Sequence, residues 1–107
     1  MDDVIITGIA PTQVNGEWRF DEFNWTVVAP QDSTGHGLIG TVFGGANTDT
    51  ANPAIPGNPG SCGYGVFDGV DDYISVADND FLDFTDEVTI TAWVFVNSLA
   101  AGDMTLV

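Results

Sequence analysis

Phe67-Asp68-Gly69-Val70-Asp71-Asp72-Tyr73-Ile74-Ser75-Val76 reads as the end of one strand, a tight acidic turn and the start of the next strand. Asp68-Gly69 supplies the turn: glycine tolerates positive φ, and an aspartate oxygen can accept from the amide two residues on. Beyond it Ile74 and Val76 share one face, Tyr73 and Ser75 the other, which is the period-two pattern of a half-buried strand. Three carboxylates, Asp68, Asp71 and Asp72, crowd into this one bend. Like charges that close repel unless solvent, a cation or a network of donors intervenes.

The same alternation recurs on both sides. Upstream, Glu17-Trp18-Arg19-Phe20-Asp21-Glu22 puts Trp18 and Phe20 on one face, and residues 38–43 resume a strand after the loop Asp32-Ser33-Thr34-Gly35-His36-Gly37. Residues 25–28 are apolar enough to extend the first pairing or to cover the end of the core. Residues 64–67 form the strand that enters the acidic turn. Downstream, residues 88–96 are the strongest strand: Val88, Ile90, Ala92, Val94 and Val96 take one face, Thr89, Thr91, Trp93 and Phe95 the other, so cover on both sides is expected. Residues 4–9 make a short strand closed by Pro11 and a turn at Val14-Asn15-Gly16, so residues 1–16 read as a lead-in, linker or edge strand. Residues 44–63, rich in glycine and proline, form a long surface excursion. Strand candidates separated by Gly, Pro and Asp turns, with no convincing helix and no repeat, make the chain all-β and antiparallel.

Composition limits the partners. The 107 residues support one domain, and a single basic residue, Arg19, stands against 16 acids for a formal net charge of -15. Nucleic acid and anionic membrane surfaces both need a basic footprint and are poor partners, so no nucleic-acid partner is expected. No run approaches the ~20 apolar residues of a membrane span, so membrane insertion is not expected. Met1-Asp2-Asp3 before Val4-Ile5-Ile6 is too short and wrongly charged for a secretory leader. Cys62 is the only cysteine, without histidines at metal spacing or a base to activate it, and reads as a small buried residue.

Four motifs in order, Trp18-Arg19-Phe20-Asp21-Glu22, Asp32-Ser33-Thr34-Gly35-His36-Gly37, Phe67 to Ile74, and Val88-Thr89-Ile90-Thr91-Ala92-Trp93-Val94, resemble the N-terminal half of a laminin G-like, concanavalin A-like jelly-roll domain. The resemblance covers residues 17–107. The loop Asn52-Pro53-Ala54-Ile55-Pro56-Gly57-Asn58-Pro59-Gly60-Ser61-Cys62-Gly63-Tyr64-Gly65 is similar to those of large bacterial surface proteins related to MshQ-type pilus biogenesis proteins. Some such relatives carry a cysteine near position 23, a partner for Cys62; this chain has Phe23.

The resemblance implies an antiparallel β-sandwich, secreted or displayed at the cell surface, that binds glycans or surface proteins without catalysis. A jelly roll needs ~8 strands, and this series stops short, so the expectation is a truncated domain that pairs with a second copy or with a C-terminal half. The resemblance also implies a calcium ion near the Asp32 loop. Glu22, Asp32, Asp71 and Asp72 are the candidate ligands, since hard cations take carboxylate and carbonyl oxygens; the plain alternative is acids that cap turns and face solvent.

Trp25 and Tyr64 are the candidate ligand-binding aromatics, with Trp18 and Trp93 assigned to the core because both sit inside strands. A helical-hand calcium loop over residues 78–89 fails, because Asp83 and Thr89 stand where that loop needs Gly and Glu. A glycosidase is disfavoured: Glu17, Asp21 and Glu22 lack the strand-alternating spacing, and Asp71 and Asp72 are adjacent. His36, the only histidine, reads as a loop residue. A structural spacer that binds nothing is the runner-up.

Overall fold

The structure, a computed structural model, describes residues 4–7, 14–49 and 63–98. Seven strands are present among them: β1 (Val4–Thr7), β2 (Val14–Trp18), β3 (Gly40–Phe43), β4 (Asn47–Asp49), β5 (Tyr64–Val66), β6 (Tyr73–Val76) and β7 (Thr89–Ala92). A single 3-10 turn, Asp80–Leu82, is the only helical piece described, capped by the Asn79 side chain on the Phe81 amide. All ladders are antiparallel, so the all-β expectation holds. No helix among the described residues is long and apolar enough to cross a membrane.

The three ladders are β2-β1-β7, β3-β6 and β4-β5. The second and third are one ribbon bent at a corner. β3 runs into β4 through Gly44-Gly45, β5 runs into β6 through the acidic turn, and the order of pairing is nested, β4 with β5 inside β3 with β6. The strands either side of the acidic turn therefore pair with β4 and β3, not with each other. The predicted faces survive: Ile74 and Val76 are half-buried, Tyr73 and Ser75 exposed.

β1 corrects the expectation of an edge strand. It lies between β2 and β7, with Ile6 opposite both Gly16 and Ile90. The predicted turn at Val14-Asn15-Gly16 is instead the start of β2. Ile6 faces Gly16 and Thr7 faces Val14, so Asn15 is the extra residue of a bulge. The bulge has a use: the Asn15 backbone carbonyl accepts from His36 Nδ1 at 2.8 Å, and its side-chain amide Nδ2 donates to the Phe81 carbonyl at 2.8 Å. A carbonyl can only accept, so Nδ1 is the donor in this bond. The His36 ring also stacks on Phe81, with centroids 3.8 Å apart. One bulged residue thus ties the 33–37 loop and the 3-10 turn to β2.

The core is small. Val4, Trp18, Phe20, Trp25, Leu38 and Ala46 are buried, with Ile6, Val42, Phe67, Ile74, Val76 and Leu82 packed against them. Trp18 and Phe20 share the interior as their spacing predicts, although β2 ends at Trp18 and Phe20 sits at φ 57. Trp18 satisfies its indole N–H on the Leu38 carbonyl at 2.6 Å, as a buried Trp must.

Residues 88–96 differ most from expectation. Every residue of β7 is exposed, and Trp93, assigned to the core, is 64% exposed, with Phe95 at 67%. The reason is position: β7 is the outer strand of its ladder, paired with β1, and no described element packs extensively on it from above or below. Cys62 lies outside the described residues, as does most of the 44–63 excursion.

Candidate functional site

The acidic corner is built from local hydrogen bonds. Asp68 Oδ1 accepts from the Val70 amide at 2.8 Å and more weakly from that of Asp71 at 3.4 Å; Asp72 Oδ2 accepts from the Asp68 amide at 2.8 Å. These side-chain-to-backbone bonds replace ladder bonds that a tight turn forgoes. The opposite corner presses on it. A Cβ at Gly44 would lie 2.4 Å from the Asp71 carbonyl oxygen and 2.7 Å from the Asp72 Cα, and Gly44 has φ +82. Only glycine admits both that backbone angle and that approach.

Carboxylate oxygens of Asp68, Asp71 and Asp72 all lie within 4.8 Å of one another. Asp72 Oδ1 is buried and has no hydrogen-bond partner. A buried acceptor left unmade is costly, and three anionic groups this close repel. A bound cation answers both, so the donor set fits a hard divalent ion.

Of the four acids expected to ligate calcium, the structure brings Asp71 and Asp72 together, joined by Asp68. Glu22 and Asp32 belong to no such group among the described residues. Their oxygens are already occupied. Glu22 accepts from the Trp25 indole at 2.9 Å and from the Gln31 amide at 2.8 Å. Asp32 accepts from the amides of Glu17, Thr34 and Leu38 and from the Thr34 hydroxyl. Burial alone would raise the Asp32 pKa; the hydrogen bonds from Thr34, Glu17 and Leu38 outweigh it and hold the carboxyl below its ordinary 3.8. Asp32 is the clamp of its loop. Asp68 was legible as an acid in the turn, but nothing in spacing shows which acids bring their oxygens together.

The aromatic candidates also rearrange. Trp25 is not an exposed platform: it is 6% exposed. It packs against Phe20 at 5.1 Å, edge to face, and against Phe67 at 6.1 Å. Gly65 makes room for it, since a Cβ there would meet Trp25 Cη2 at 2.6 Å. Tyr64 is half-buried at the start of β5, opposite Asp49.

The exposed aromatics of the bent ribbon are Phe43 and Tyr73. They are directly opposite in the β3-β6 register, stacked with centroids 4.7 Å apart and planes 12° from parallel, and are 42% and 54% exposed. Thr41 and Ser75 share that outer face. Tyr73 directly follows Asp72, and Phe43 directly precedes the glycine packed on Asp71, so the pair adjoins the acidic corner. The outward alternation of Tyr73 was readable from sequence; its partner 30 residues upstream was not.

Comparisons with protein-family models, with curated proteins and with solved structures return no match.

Proposed function

We propose that the chain is a non-catalytic ligand-binding or adhesion module, extracellular or at the cell surface, with a carbohydrate as its ligand class. On this reading it forms the N-terminal part of a laminin G-like jelly-roll sandwich within a longer bacterial surface protein. The observation that carries it is the exposed, stacked Phe43–Tyr73 pair, whose residues adjoin the acidic corner along the chain. Flat apolar rings stack on the C–H faces of pyranoses, and carboxylates accept from sugar hydroxyls. Glycan-array binding with calcium and again with chelator tests this. Tyr73→Ala is expected to weaken binding about ten- to a hundredfold with little loss of folded signal, because Tyr73 faces solvent. Wild-type and variant binding alike, or no glycan bound by either, contradicts it.

Calcium belongs to the proposal as a stabiliser of the corner, with Asp68, Asp71 and Asp72 as the side chains that would hold it. Asp72 Oδ1, buried and unpartnered, favours this, and it also suits the spacer reading, in which the ion stabilises without recognition. Calcium at about a hundred times its Kd is expected to raise Tm by roughly 10 °C, and Asp72→Ala to abolish the rise. No heat on titration and an unchanged Tm remove the ion from the account.

Self-association is the third part. Residues 88–96 carry no charge in a chain of net charge -15; Ile90 of the outer strand and Trp93 and Phe95 just beyond it are exposed. Second copies can approach there without opposing acids. Size-exclusion chromatography with light scattering should show a dimer; a stable dilute monomer contradicts it.

A further inference from the structure

We propose that the outer face of the β3-β6 ladder selects glycans bearing protonated amines, an amino-sugar oligomer over a neutral or acidic one. This rests on the carbohydrate reading above and narrows it to one ligand chemistry. The face presents Phe43 and Tyr73 as one flat apolar surface, flanked by the exposed Thr41 and Ser75. Rings of that kind take the C–H side of a sugar, and small hydroxyls exchange hydrogen bonds with its rim.

Charge makes the further selection. The corner adjoining the rings carries Asp68, Asp71 and Asp72, in a chain with 16 acids. Its one basic residue, Arg19, is engaged with Glu17 at 3.0 Å. The ligand face therefore meets a negative potential with no arginine or lysine of its own to receive a sugar carboxylate or sulfate. With no cation held in the corner, an ammonium on the sugar is attracted by the carboxylates and by the ring faces together. A sugar ring, unlike a lysine side chain, also covers the aromatic plane, so a peptide of equal charge should bind less well.

The test is calorimetric titration of the full chain in chelator, at a pH below the amine's pKa. The probes are a glucosamine oligomer, an N-acetylglucosamine oligomer of the same length, an oligogalacturonate, and a lysine peptide of matched charge. The glucosamine oligomer is expected to bind roughly tenfold tighter than its acetylated counterpart, with the gap closing at high salt and the oligogalacturonate weakest. Asp71→Asn should narrow the gap, whereas Tyr73→Ala should weaken both sugars. Equal binding of the acetylated and free-amine oligomers overturns the charge preference and leaves the carbohydrate reading standing. Equal binding of the lysine peptide overturns it too, because charge alone is then read. Failure of every sugar to bind overturns the carbohydrate reading itself.

Discussion

Gly44→Ala is expected to cost about 2 to 5 kcal/mol of folding stability, a large share of what a domain of this size possesses. Two effects add. The residue occupies φ +82, where an L side chain is strained, and its Cβ would sit 2.4 Å from the Asp71 carbonyl oxygen and 2.6 Å from the Asp71 carbonyl carbon. Backbone atoms of a turn held by its own Asp–amide bonds have little room to withdraw. Gly35→Ala is the control: its φ is +86, but a Cβ there meets nothing within 4 Å. It should cost only about 1 to 2 kcal/mol. Urea denaturation of both variants separates the strain from the collision. Equal losses would mean that the two corners of the ribbon do not press together.

Asp32→Ala is the second large effect, expected at about 2 to 4 kcal/mol near neutral pH. It removes the acceptor for three amides and a hydroxyl, and with it the loop that carries Leu38, a fully buried side chain, and the bridge from Trp18 to Asp32. The pH dependence has a definite sign. The folded-state carboxyl is held below its ordinary value of 3.8, so its stabilisation is complete above that value and is lost as pH falls through the lower folded-state pKa. The gap between wild type and variant should thus be widest at neutral pH and narrow on acidification below 3.8. Comparing the two proteins matters, because protonating the other acids relieves the repulsion of a chain at net charge -15 and moves both curves together. A gap independent of pH would mean that the Asp32 loop is held by backbone alone.

Local pattern made the fold class legible. The alternation of Tyr73, Ile74, Ser75 and Val76, and the shared burial of Trp18 and Phe20, follow from period-two sterics and needed no knowledge of distant partners. Burial set by distant partners was not legible. Trp25 lies in a turn, where exposure is the ordinary expectation, yet Phe20 and Phe67 close over it and Gly65 leaves it space. Trp93 lies in an apolar alternating run, where burial is the ordinary expectation, yet β7 has only β1 beside it in the described ladder. β1 itself looked peripheral because it is short and early, while its two-sided pairing depends on residues 14–18 and 89–92.

The site divides along the same line. An acid-rich turn with Asp-Gly was visible, and so were Asp71 and Asp72 as candidates. Which carboxylates have both oxygens taken by donors of their own loops was not visible, and this separates Glu22 and Asp32 from Asp68, which accepts backbone amides through Oδ1. Phe43 gave no signal as a functional residue, because its role depends on standing opposite Tyr73 across the ladder.

The most direct test is amide chemical-shift mapping of the isotope-labelled chain during titration with the best glycan from the array. Shifts are expected to concentrate on Thr41, Phe43, Asp71, Tyr73 and Ser75 and to be absent from β2 and from the 32–38 loop. Shifts centred on residues 88–96, or spread without relation to the β3-β6 face, would contradict it.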